Sequence, residues 1–215
     1  MKPTVSIIIP VRNEEKIIGK AIESMKQQSY SRKEIIVMDN ASTDRTVEAV
    51  KRHKVKVITN KKNIGIGNSV NRGVKAAKGE FIIILHADHY AKDSKWIDKM
   101  LLPFSEPQVA AVVSQRRNKK RSSMSIGERL FDSLHIPSVN MAGKPTEISI
   151  LREKADAYRK PTLQKLGYFD GDSYPHGGED VDMSIKLRKA GYKIVLSDTA
   201  MVEHVFSSHQ SSPLS

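Results

Sequence analysis

Through the first half of the chain, short runs of β-branched and other apolar residues take turns with segments whose apolar positions recur every three or four residues. The runs are residues 5–10 (VSIIIP), 34–39 (EIIVMD), 54–59 (KVKVIT) and Phe81–Leu85. Each is too short for a stable helix and reads as a strand, buried on both faces where it is wholly apolar. Between them, Ile17, Ile18, Ala21, Ile22 and Met25 follow helical spacing. Asn13 is placed to cap that helix, and Glu14 and Glu15 suit the positive end of its dipole. Ser42 or Thr43 can cap a second helix running to about His53. Residues 65–78 predict a third, with Val70, Val74 and Ala77 on one side. Strands alternating with helices at this interval mean βαβ units. The expected fold is therefore α/β, a Rossmann-like, mainly parallel central sheet flanked by helices.

The second half is less regular. Residues 93–102 predict a short helix with Trp96, Ile97, Met100 and Leu101 at core spacing, and 109–114 a strand. Residues 147–151 predict another strand, 162–166 a helical turn after Pro161, 179–190 a helix stopped by Gly191, and 193–196 a last strand. Residues 122–145 mix Gly, Ser and Met and read either as a loop or as a helix with a loop. A Ser-rich tail from Ser207 reads as unstructured or as cut from a longer protein. No internal repeat is present.

Composition narrows the function. The chain has 215 residues and no cysteine. Disulfides, Cys-ligated zinc and a thiol nucleophile are excluded. No apolar run approaches the ~20 residues that span a bilayer, and no signal-peptide core precedes the first strand, so the expected location is cytoplasmic. The net charge of +12 invites a nucleic-acid reading, but aromatics make up only 6% and do not interleave with the basic residues. Nucleic acid is therefore not expected as a partner. The densest basic run, Arg116 through Arg121, reads as a solvated loop or as a contact for phosphates or anionic lipid headgroups at the cytoplasmic membrane face. Against that background, the stretch between Lys165 and Lys186 holds no Lys or Arg but carries Asp170, Asp172, Glu179, Asp180 and Asp182.

In open α/β sheets, ligands bind at the carboxyl ends of the strands. Polar residues collect there in this sequence: Pro10-Val11-Arg12-Asn13-Glu14, Asp39-Asn40 and His86-Ala87-Asp88. No GxGxxG follows the first strand and no GxxxxGKS loop occurs, which removes the dinucleotide and P-loop fingerprints. Gly177-Gly178 would let a ligand approach the backbone closely, and Glu179-Asp180 would sit in the first turn of a helix, where the dipole favours an ionised carboxylate.

In this order, SIIIPVRNEE, EIIVMDNASTDRT, NIGIGNSVNRGVKAAKGEFIIILHAD, YRKPTLQKLGYFD and GGEDVDMSIKLRKAGYKI resemble the family 2 glycosyltransferases, inverting enzymes of the GT-A fold. The likeness runs from about Val5 to about His204. It implies one domain over 1–206, a nucleotide-binding half to about residue 90 and an acceptor-binding half from 91, followed by a flexible tail over 207–215. It implies a nucleotide-sugar donor, a UDP-sugar favoured and GDP-mannose the alternative, held by Pro10, Val11, Arg12, Glu14, Asp39, Asn71, His86, Ala87 and Asp88. Asp39 could instead merely cap its turn. Asp88 matches the last acid of the family's DxD motif and would bind Mn²⁺ or Mg²⁺, with His204 as a second ligand. Asp180 would be the general base. Tyr158, Arg159 and Glu179 would lie on the acceptor side, where Tyr158 also reads as core. The acceptor would be a polyprenyl phosphate, a lipid or a glycan.

Two positions depart from the family pattern. His86 stands where the first acid of DxD is usual, which bears on the identity and affinity of the metal and motivates the rival reading of a nucleotide-sugar-binding protein without catalysis. Val70 stands where many relatives carry Arg, so that one donor-phosphate contact is either missing or replaced by Arg72 or Lys62. No QxxRW follows the acidic helix start, and Trp96 is the only tryptophan. Transfer of one sugar at a time is expected.

Overall fold

The computed structural model describes residues 2–117, 145–151 and 155–205. The first half forms as the pattern dictates. Strands β1 (Val5–Val11), β2 (Lys33–Asp39), β3 (Lys56–Thr59) and β4 (Phe81–Leu85) lie parallel in the order β3-β2-β1-β4. Helices α1 (Ile18–Lys26), α2 (Thr46–Arg52) and α3 (Ile66–Ala76) connect them. Period-two alternation sends Ile7 and Ile9 of β1 into one core with Ile18, Ala21, Ile22 and Met25 of α1. Ile8 faces the other way, among Val70 and Val74 of α3 and Met183 and Leu187 farther along the chain. Each such isoleucine contributes about 1.5–3 kcal/mol by leaving water. Helix α3 comes close to the sheet because Gly73 packs on Ile8 and Met38. A β-carbon there would come within 2.8 Å of Ile8.

Beyond β4 the sheet is mixed rather than parallel. It continues through β8 (Ala155–Arg159), β6 (Val109–Arg117), β9 (Lys193–His204) and β5 (His89–Tyr90), with β7 (Thr146–Ile148) also on β9. Strand β8 runs antiparallel to both β4 and β6. Helix α4 (Trp96–Leu101) continues into a 3-10 turn at Leu102–Ser105, and α5 (Lys160–Lys165) and α6 (Glu179–Lys189) complete the layers. The start of β9 pairs with β7, and its end pairs with β5. That length matters, because it carries His204 to the end of β4, where the expected stop at residue 196 would not.

Two capping expectations are corrected. Asn13 does not cap α1: it adopts φ 56° in the preceding loop, and the first helical turn is prepared by Ile17 and Ile18 donating N–H to the Glu14 carbonyl. Neither Ser42 nor Thr43 caps α2, which starts only at Thr46. The Asp44 carboxylate receives the Thr46 N–H instead. Residues 122–144, most of the basic run and the tail from Ser207 lie outside the described residues.

Candidate active site

The loops after β1 and β2 are latched together by reciprocal hydrogen bonds. Asn13 N–H donates to Ser42 Oγ at 3.0 Å, and Thr43 N–H donates to Asn13 Oδ1 at 2.8 Å. Glu14 N–H donates to Thr46 Oγ1, Glu15 N–H to Asp44, and Arg45 N–H to Glu15. Pro10 and Val11 end β1 beside Met38 and Asp39. Asp39 itself is fully buried and receives the Ser42 N–H on both carboxylate oxygens, at 3.3 and 3.4 Å. In this conformation it closes the turn and is shut from solvent. Arg12 is exposed beside it and Glu14 half-buried.

At the end of β4, His86, Ala87 and Asp88 form a turn in which His89 N–H donates to the His86 carbonyl. Asp88 meets two imidazoles: His204 Nε2 lies 3.0 Å from Oδ2, and His89 Nδ1 lies 2.6 Å from Oδ1. The pairing of β5 with β9 sets His89 directly opposite His204. Burial pushes the Asp88 carboxyl up, but the hydrogen bonds with His204 and His89 and the charge of the neighbouring imidazoles outweigh it and hold the group well below the usual carboxylate range. Asp88, His89 and His204 offer ligand atoms all within 4.8 Å of one another. The donor set fits a divalent cation: two ligands on adjacent corners of an octahedron, each about 2.1 Å from the ion, stand about 3.0 Å apart. Asp88 Oδ2 and His204 Nε2 have that separation.

Asp180 and Glu179 open α6, following Gly177 and Gly178 at φ 121° and 107°, a left-handed pair that side-chain-bearing residues adopt only with strain. A cavity of about 30 Å³ beside them is lined by His86, Asp156, Tyr158, Phe169, Glu179 and Asp180, among others. Tyr158 is buried, stacked edge-on against Phe169 at 5.7 Å, and its hydroxyl donates to Asp156 Oδ2 at 3.4 Å. Burial, reinforced by the charges of Asp156, Asp180 and Glu179, pushes that hydroxyl well above its ordinary value, so it stays a donor. Tyr158 is thus both core and cavity wall.

Two expected residues do other work. Asn71 spends its amide on the backbone of Phe169, donating Nδ2–H to the carbonyl at 2.7 Å and receiving the N–H at 3.1 Å. Arg159 pairs with Phe81, at the opposite end of β4 from His86. Four residues of strand put it about 13 Å from the site end. Its guanidinium donates to the carbonyls of Phe104, Glu106 and Val109 and lies over the rings of Phe81 and Phe104. Arg72 is likewise turned to the Asn60 side chain. Conversely, His89 and Asp156 belong to the site region and were not expected. The HADH run flanks Asp88 with two histidines and was a signal for His89, whereas Asp156 had none, since its strand was not anticipated.

Comparison with known proteins bears on the family and the fold. The family model described as glycosyl transferase family 2 matches residues 6–167. An uncharacterized protein of Methanocaldococcus jannaschii is 35% identical over 211 residues, covering 93% of this chain and 85% of the relative. The poly-β-1,6-N-acetyl-D-glucosamine synthase of Staphylococcus epidermidis is 27% identical over 207 residues, 92% of this chain and 48% of the synthase. The chain thus spans about half the length of several curated relatives that it matches. Among solved structures, a mannosyltransferase from Pyrobaculum calidifontis in complex with GDP-Man and Mn²⁺ superposes with a TM-score of 0.77 at 22% identity, over 97% of this chain and 58% of that one. The fold is therefore GT-A.

Proposed function

The chain belongs to glycosyl transferase family 2, and on that premise we propose that it transfers one sugar at a time from a nucleoside-diphosphate sugar to an acceptor hydroxyl, inverting the anomeric carbon. The observation that carries this reading is the shared cavity of His86 and Asp180. It joins the end of β4, which leads into Asp88, to a helix start that combines paired glycines with paired acids. The Asp180 carboxylate is half-buried in the first turn of α6. It takes the proton of the acceptor hydroxyl as that oxygen bonds to the anomeric carbon and the bond to the diphosphate breaks on the opposite face. Pro10, Val11, Arg12 and Glu14 bound the base and ribose, and Asp39 joins them once its turn moves. Asp88 and His204 would hold a divalent cation. When bound, that ion neutralises charge on the departing nucleoside diphosphate.

Tyr158 keeps a proton on the cavity wall and fixes the Asp156 carboxylate beside the acceptor side, with Glu179 next to it. The acceptor is a hydroxyl of a glycan or a lipid; a polyprenyl phosphate, whose phosphate oxygen is already ionised, would take the sugar with little need of Asp180 as base. Among the described residues no helix is long and apolar enough to cross a membrane. Contact with an anionic membrane face rests on the basic run from Arg116, and pelleting with neutral and anionic liposomes tests it.

Release of UDP or GDP from a panel of nucleotide sugars, with product anomers assigned by NMR, tests the function. Asp180→Asn should lower turnover by about 10²–10⁴-fold. Undiminished turnover, or retention of configuration, would overturn the assignment. Binding of a nucleotide sugar with no turnover by the wild type would support the non-catalytic rival that His86 suggests.

A further inference from the structure

We propose that His89 is a positioning residue for the cation site: it holds one oxygen of Asp88 so that only the other faces the ion, and the ion takes one imidazole rather than two. This rests on the divalent-cation reading above. His89 is 3% exposed, and its place is fixed twice over, by the His86 turn and by its pairing with His204. Both imidazoles hydrogen-bond Asp88, and they differ in access: the His89 side chain is 3% exposed and that of His204 13%. The 3.0 Å between Asp88 Oδ2 and His204 Nε2 matches neighbouring ligands around a small cation. The 2.6 Å between Asp88 Oδ1 and His89 Nδ1 is shorter than that spacing and is a tight hydrogen bond. Nδ1–H is the donor, since an ionised carboxylate only accepts.

With Oδ1 engaged in this way, Asp88 is restricted to one-oxygen coordination through Oδ2. The rings of His89 and His204 sit 4.9 Å apart and tilted by 48°, so the first also packs against the second and steadies its approach to Asp88. Outer partners of this kind typically alter metal affinity by 10–100-fold when removed. Two protein ligands also leave about four corners of an octahedral ion for diphosphate oxygens and water, the arrangement expected of an ion that works on a nucleotide.

The test uses the full chain labelled with ¹⁵N-histidine and Mn²⁺ as the probe, alone and with UDP or GDP. Pulsed EPR should detect one coordinated imidazole nitrogen in the wild type. Mn²⁺ affinity, read from the free-ion EPR signal, should fall by about 10–100-fold in His89→Leu, which fills the space without a donor. It should stay within about threefold of the wild type in His89→Asn, whose side-chain N–H can take the place of Nδ1–H. Two coupled imidazole nitrogens in the wild type would overturn the inference and leave the cation reading standing. So would equal affinity in His89→Leu, or equal losses in both variants. Failure of the wild type to bind Mn²⁺ under every condition would overturn both. The wild-type spectrum decides the matter even if a variant folds poorly.

Discussion

Asn71 of α3 grips the backbone of Phe169 from both sides, giving one hydrogen bond to its carbonyl and taking one from its N–H. This clasp ties the nucleotide-side helix to the loop that leads into Gly177-Gly178 and Asp180. Asn71→Leu leaves two buried backbone groups without their partners and should cost about 2–4 kcal/mol. Urea unfolding measures that cost. Turnover should fall more than nucleotide affinity, because the displaced part is the platform of Asp180.

Arg159 gives the opposite expectation. Its guanidinium serves carbonyls and aromatic rings at the far end of the sheet. Arg159→Met should lower stability by about 1.5–3 kcal/mol through the lost charged hydrogen bonds, and leave KM for acceptor and donor unchanged. A selective rise in acceptor KM would return Arg159 to the acceptor side.

The loop latch has a pH signature. Burial pushes the Asp44 carboxyl up, but the Thr46 hydroxyl and the backbone N–H groups of Thr46 and Glu15 pull it below its ordinary value of 3.8. A carboxyl lowered on folding adds stability that is fully present above about its unfolded value and is lost as pH falls through the folded one. Asp44→Asn should therefore be less stable than the wild type at pH 6, and the gap should narrow below about pH 3.8. Urea midpoints across that range check the sign.

Asp88→Asn removes the charge that the proposed cation would meet. Mn²⁺ binding should drop at least tenfold, and turnover by about 10³-fold if the ion supplies several kcal/mol. Thermal stability at neutral pH should fall as well, because the interactions with His89 and His204 that hold the Asp88 carboxyl below its ordinary range in the folded state are weakened.

Much of this was legible in the chain. Ile7, Ile8 and Ile9 in succession announce a strand buried on both faces, and the spacing of Val70, Val74 and Ala77 announces the helix above it. What failed to show were elements defined by distant partners. The ADAYR sequence of β8 places Asp156 in the middle of a sheet, against strand propensity, because that carboxylate lines the cavity. Strand β5 is only His89–Tyr90 and exists because β9 comes alongside. Asn13 and Ser42 looked like helix caps because their side chains do bind backbone N–H or accept from it, but across two loops rather than within one helix. The site followed the same rule. Motif order singled out Asp88, His204 and Asp180 as candidates, whereas the surroundings of Asn71 and Arg159 needed strand register and hydrogen-bond partners to be seen.

Calorimetric titration of UDP and of GDP, each with Mn²⁺, with Mg²⁺ and with EDTA, tests the central claim most directly, using the wild type and Asp88→Asn side by side. The account predicts that the wild type binds one of the two nucleotides, that EDTA abolishes or sharply weakens that binding, and that Asp88→Asn loses the metal dependence. Binding of neither nucleotide, or binding indifferent to both the metal and Asp88, would contradict it.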